Sequence, residues 1–424
     1  MEHRLNCLDR TDFEAPAPRR VLRNLALLDP IAGRLDSGYE VLTEGQTILE
    51  VSKGGIRAGD AEVVDLRGRT LMPGLIDLHQ HILGETLPMY PRMLPSLLTA
   101  RASRVMLGML SRGFTTVRDA GGADYGHKRA VELDMFTGPR LFVCGRVISQ
   151  TGGHGDSRSP ADMREPPMCC VQFPGVGRIA DGVPEVRKAV RDEIRMGADQ
   201  IKLMAGGGIA SQSDPIDSLQ YSTEELDALV DEARRANTYV MAHVYTAQGV
   251  QRCVAAGVRT IEHGNLIDEE TARMMARAGT YLVPTLTAYQ AIKEDGPNLG
   301  FSEISMQKVD RILEAGARSL ELAAAAGVKI GFGTDVPRCP ERQSDEFLIR
   351  AQVLPAAEII RSATVTAAEI LRHEGKLGVI RPGAYADMIV VNGNPLEDLR
   401  LLAGQGENMP LIMAKGRVLK NALD

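Results

Sequence analysis

Six residues of this chain are of types that bind metal ions or move protons, and each sits where an apolar run stops: His79 and His81 in MPGLIDLHQH, Lys202 in DQIKLMAG, His243 in YVMAHVY, His263 in TIEHG and Asp335 in GFGTD. His79 and His81 lie two apart, and the two-residue repeat of a strand points both to one side while Gln80 points the other way. A lone histidine beside an apolar run is usually a satisfied core or surface residue. Four histidines and an aspartate at strand ends instead form a ligand set for two divalent ions. On that reading His79, His81 and Asp335 hold the first ion and His243 and His263 the second. Imidazole and carboxylate ligands without thiolates suit zinc best, with manganese or cobalt as substitutes. Ions about 3.5–4 Å apart would share a hydroxide and make it nucleophilic near neutral pH, which is hydrolytic chemistry.

Lys202 has two readings. An ammonium between Ile201 and Leu203 is costly to bury unpaired and cannot bind a cation. It either reaches for solvent at the strand end, or reacts with CO₂ to give a carbamate whose two oxygens bridge the ions. The residue alone favours neither; its place among imidazoles and a carboxylate favours the carbamate.

Elements able to gather these residues follow from periodicity. Eight short apolar runs, MPGLIDLHQH, TTVRDAG, RLFVCGRVIS, QIKLMAGGG, YVMAHVY, TIEHGN, YLVPTLT and KIGFGTD, alternate with amphipathic segments. Those segments carry helix signals, including Pro184 in a first turn and a capping box from Ser222 and Glu225. The pattern predicts an α/β fold, a (β/α)₈ TIM barrel over residues 71–383, which places catalytic groups at the C-terminal strand ends. Five of the eight runs end in one of the candidate ligands. Residues 1–70 and 384–424 read as short β segments broken by turns, and are expected to pair into one small β-domain. Residues 149–183, rich in Gly, Pro and polar residues, form a long loop expected over the active-site face.

Composition narrows the partners. A net charge of -6 with no basic, aromatic-interleaved run argues against nucleic acid. No run of about 18 apolar residues spans a membrane, and the first 20 residues lack the apolar stretch of a secretory signal, so a cytoplasmic protein is expected. The six cysteines follow no disulfide or zinc spacing, and the adjacent Cys169 and Cys170 read as a loop feature.

MPGLIDLHQH, the lysine of the fourth run, the HVY and EHG histidines and GTD together resemble the amidohydrolase superfamily in its binuclear, carboxylated-lysine form, over almost the whole chain. RGFTTVRDAGG, SQTGGHGD, GADQIKLMAGGGIAS, TIEHGNLID and QSDEF look like the branch of Xaa-Pro dipeptidases (prolidases), carboxypeptidase-like enzymes and ochratoxin amidases. That resemblance implies a metal-dependent amidohydrolase that cleaves the amide to a C-terminal L-amino acid in N-acyl-amino acids or dipeptides. A metal-bridging hydroxide would attack, and Asp335 would take the proton and pass it to the leaving nitrogen. It also implies His154, in TGGHGD, as a donor to the carbonyl oxygen, and Tyr245 as a group orienting the carbonyl or the terminal carboxylate. The resemblance, which extends to the closing ADMIVVNGNP, also implies a small β-sandwich domain built from both termini beside the barrel, and a homo-oligomer is expected by analogy. Departures are Gln80 and the VPRCPERQ segment after Asp335.

Arg118, Arg338 and Arg342 are candidate partners for a substrate carboxylate. Gly206, Gly207 and Gly208 read as a structural turn, and His3, His127 and His373 as surface residues. The alternative enzyme keeps the metals and hydrolyses a lactone, phosphotriester or cyclic amide. Ring deaminases of the superfamily use one metal and lack the lysine, so Lys202 argues against them, and a non-catalytic scaffold would need no complete ligand set.

Overall fold

Strands Leu75–Gln80, Phe114–Asp119 and Ile201–Met204 are buried at every position, as strands covered on both faces must be. The computed structural model describes residues 18–84, 94–156, 158, 177–210 and 214–423. Within it, Leu75–Gln80, Phe114–Asp119 and Arg140–Phe142 pair in parallel in that order. Val147–Ser149 pairs in parallel with Ile201–Met204, followed by Val240–Thr246, Thr260–Leu266 and Tyr281–Val283. Helices such as Gly182–Arg195, Thr223–Arg235 and Ala247–Ala256 connect successive strands, giving a mixed α/β chain. The Ser222 hydroxyl accepts from Glu225 N, and the Glu225 carboxylate accepts from Ser222 N, closing the expected capping box.

Two of the eight runs differ from expectation. RLFVCGRVIS breaks into Arg140–Phe142 and Val147–Ser149. KIGFGTD forms no regular strand; Ile330 bridges Leu282, Leu78 N donates to Phe332 O at 2.8 Å, and Asp335 N donates to His79 O at 2.8 Å. Glycine explains the close approach: a Cβ at Gly333 would fall 2.4 Å from Val283 Cγ1 and 2.9 Å from His79 Cβ. These bonds lay Asp335 beside His79.

Strands from both ends of the chain share one sheet of eight, in the order Arg417–Asn421, Leu411–Ala414, Met388–Val391, Thr70–Pro73, Arg19–Asp29, Arg34–Glu44, Thr47–Lys53, with Glu62–Asp65 also on Arg19–Asp29. Alternation divides its residues between two cores. Leu71, Val390 and Leu411 pack with Leu22 and Val41, whereas their neighbours Met72, Ile389 and Ile412 pack with Met109 and Phe114. That second set joins the terminal sheet to the parallel strands.

Behind the last parallel strand, the helix Leu286–Asp295 begins after Thr285, whose φ is 50° and whose hydroxyl caps nothing. Its free amides are met by Glu346, which accepts from Leu286 N at 3.3 Å and Thr287 N at 2.7 Å, a carboxylate at the positive end of a helix. Buried Arg350 donates to Glu346 at 2.7 Å and to Gly331 O at 3.1 Å. Removing one partner of a buried pair strands the other charge. Arg350→Ala is therefore expected to cost about 3–5 kcal/mol, measured as a lower urea midpoint with an unchanged slope.

Candidate active site

His79, His81, Lys202, His243, His263 and Asp335 line one cleft, together with His154 and Tyr245. The structure thus gathers all six expected metal ligands with His154 and Tyr245. His81 Nε2 is 3.4 Å and His79 Nε2 3.9 Å from the Asp335 carboxylate. The His243 and His263 rings are 4.5 Å apart, and His263 is 5.0 Å from His79, centroid to centroid. The amine of Lys202 donates to His79 Nε2 at 3.4 Å.

Each imidazole has one nitrogen already engaged. His79 Nδ1 donates to Glu262 Oε2 at 2.7 Å, His81 Nδ1 to Gly121 O at 2.8 Å and His243 Nε2 to Gly207 O at 3.1 Å. His263 Nδ1 lies 2.8 Å from both Thr285 Oγ1 and the Tyr289 hydroxyl. The other nitrogen is left to the cleft, where that of His79 meets the Lys202 amine; this is the arrangement in which outer partners aim imidazoles at a metal. Burial favours the neutral rings: it lowers His81 to about 4 and His79, His243 and His263 well below the usual histidine value. Among the described residues, His79, His81 and Asp335 form the one group of three such ligands whose donor atoms all lie within 4.8 Å of one another, close enough to share one ion. The donor set fits a metal centre.

One carboxyl and one amine group of the cleft are shifted by burial toward their neutral forms. Burial raises Asp335 to about 7, against the pull of Lys202, and burial lowers the Lys202 ammonium. His263 and Asp335 have φ of 74° and 53°, in the left-handed region. Such strain persists only where the surroundings enforce it, and it clusters at functional sites. At His263 it also breaks the strand alternation, so that Glu262 and His263, adjacent in sequence, both reach His79.

Residues 70–419 match the amidohydrolase family. The chain belongs to that family. This amidohydrolase is similar to ochratoxinase of Aspergillus niger, with 32% identity over 355 residues that cover 78% of this chain and 72% of that protein. A crystal structure of another amidohydrolase is 50% identical, with a TM-score of 0.93, covering 96% of this chain and 100% of the other. A crystal structure of a prolidase complexed with N-methylphosphonate-L-proline is 46% identical, with a TM-score of 0.93, covering 95% and 100%. The protein is accordingly a hydrolytic enzyme acting on amide bonds.

Several sequence readings need correction. Arg118 is no substrate ligand: it is fully buried, donates to Leu78 O at 2.6 Å and pairs with Glu262 at 2.8 Å. Arg342 pairs with Glu294 and Asp345. Of the three arginines, Arg338 lines the cleft, stacked 4.5 Å over Phe301 and bonded to Leu299 O. His127 is buried, not on the surface, because its ring completes the capping box of Tyr125–Glu132 with Asp124. His373 is half-buried, edge-on to Phe142 at 4.9 Å. His3, Cys169, Cys170 and most of the 149–183 loop lie outside the described residues.

Glu262 was missed, although a signal existed. Arg118 and Glu262 are opposite charges embedded in apolar strands, and such charges must find each other. No periodicity could show that the pair continues to His79. Glu262→Gln removes the charge that orients His79 while keeping its shape. Zinc affinity is expected to fall roughly 10–100-fold, read by competition with a chelating indicator on protein that still gives the wild-type circular dichroism spectrum.

Proposed function

We propose that this amidohydrolase is a (β/α)₈ barrel enzyme of residues 71–383, flanked by a domain of residues 1–70 and 384–424, that releases a C-terminal L-amino acid from N-acyl-amino acids or dipeptides. The observation that carries the proposal is the meeting, in one cleft, of four one-sided imidazoles, Lys202 and Asp335 with an apolar wall of Ile209, Ile292, Leu299 and Phe301. Such a wall suits an apolar acyl or side-chain group. The likeness to a prolidase bound to a proline phosphonate, and to ochratoxinase, favours an amide next to a terminal carboxylate.

On this reading His79, His81 and Asp335 hold one divalent ion, His243 and His263 a second, and Lys202, as a carbamate, joins them. Zinc fits the donors best. The lowered pKa of Lys202 supports the carbamate, since only a neutral amine can attack CO₂. Bound there, the ions would supply an acidified water and polarise the scissile carbonyl.

The protein's own groups do the remaining work. Asp335 takes a proton from the attacking water and delivers it to the leaving nitrogen, whose anion is too basic to depart. His154 hydrogen-bonds the carbonyl oxygen as charge forms there. Tyr245, packed 5.1 Å from His243 and 5.2 Å from His263, orients the carbonyl or the terminal carboxylate.

Zinc-loaded enzyme is expected to release free amino acid from Z-Pro, Xaa-Pro dipeptides or ochratoxin A, detected by chromatography. Turnover of lactones with no amino acid released from any of the three would sink the proposal. Lys202→Ala should lower the metal content by elemental analysis from two ions per chain to one, and two ions retained would refute the bridge. Chelation of the wild type should abolish activity, and added zinc should restore it.

A further inference from the structure

His154 is held from behind by a residue that no motif singled out. Its Nδ1 lies 3.0 Å from Asp214 Oδ2, and the same oxygen accepts the Gly208 N–H at 2.8 Å. Both side chains are buried. The backbone of His154 is fixed as well, its N–H donating to Gln220 Oε1 at 3.1 Å.

The ring lies between two surfaces. On one side it stacks on His243, with centroids 4.4 Å apart and planes 12° from parallel. On the other is Gly208, where a Cβ would come within 2.0 Å of His154 Cε1. Only glycine leaves room for the imidazole there. Lys308, from the helix Glu303–Ala325, donates to Gly208 O and to Asp214 O at 2.8 Å each, so one ammonium ties together the two residues that frame the ring.

We propose that Asp214 is a positioning residue for catalysis: its carboxylate pairs with the doubly protonated ring of His154 by accepting from Nδ1–H, and thereby fixes the ring with Nε2–H directed to the cleft as the donor. The inference rests on the reading above in which His154 bonds the substrate carbonyl. Stacking sets the plane of the imidazole but does not distinguish the two orientations related by a half-turn about Cβ–Cγ, which exchange Nδ1 with Cδ2 and Nε2 with Cε1. A directional bond at one ring nitrogen selects one of them. Lys308 acts further out, on the backbone that presents both Gly208 and Asp214.

Asp214→Asn tests this, because it keeps the side-chain shape and removes the charged acceptor. In zinc-loaded enzyme assayed for amino-acid release, kcat is expected to fall roughly 10–100-fold, with KM, zinc content and unfolding midpoint unchanged. Asp214→Glu should recover part of the loss. Combined with His154→Asn, Asp214→Asn should cost nothing further, since nothing remains to be positioned. Losses that multiply in the double variant, or an Asp214→Asn enzyme as active as wild type, would overturn the inference while leaving the role of His154 standing. A His154→Asn enzyme with wild-type kcat would overturn that role and this inference together.

Discussion

The fully buried carboxylate of Glu262 is the interaction on which the site depends. One oxygen takes the Arg118 guanidinium at 2.8 Å and the other takes His79 Nδ1 at 2.7 Å. Three parallel strands are thereby tied by one acid, from Leu75–Gln80, Phe114–Asp119 and Thr260–Leu266. An unpaired carboxylate at that depth would cost several kcal/mol, and an unpaired guanidinium a similar amount. Their pairing makes the buried charge tolerable. The second oxygen then converts what could have been a purely structural ion pair into a device that aims an imidazole.

The same logic recurs at the other side chains of the cleft. His81 is aimed by a backbone carbonyl of Gly121, His243 by that of Gly207, His263 by Thr285 and Tyr289, and His154 by Asp214. Each anchor belongs to a different segment from the histidine it holds. The rigidity of the site is therefore the rigidity of the contacts between segments. Arg350 and Glu346 extend this outward, since Glu346 holds the start of the helix that follows Thr285. A pair far from the chemistry thus supports the residue that touches His263.

The terminal sheet contributes through packing. Met72, Ile389 and Ile412 turn one of its faces toward Phe114 and Met109, and Thr70–Pro73 runs almost directly into Leu75–Gln80, the strand that carries His79. Burying apolar side chains there at about 25 cal/mol per Å² favours a fixed seat for that first strand. The position of His79 and His81 is in this way set from both sides, by the sheet beneath and by Glu262 and Asp335 across the cleft.

The sequence by itself determined the chemistry-bearing residues. His79, His81, Lys202, His243, His263 and Asp335 stood at the ends of apolar runs, because strand periodicity and strand burial are local properties that a linear pattern records. The pairing of terminal β segments was legible for the same reason. Tertiary structure alone decided which groups face which. Arg118 resembled a substrate ligand until its partner, 144 residues away, proved to be Glu262. His127 resembled a surface residue until its ring was found closing a helix cap. The left-handed conformation of His263 and the irregular eighth run were also invisible; at Gly331 and Gly333 the space is limited by Leu78, Val283, Ile370 and His79, all from other segments. Burial, charge pairing and the direction of a hydrogen bond depend on what lies across the cleft, and that is fixed only when the segments have come together.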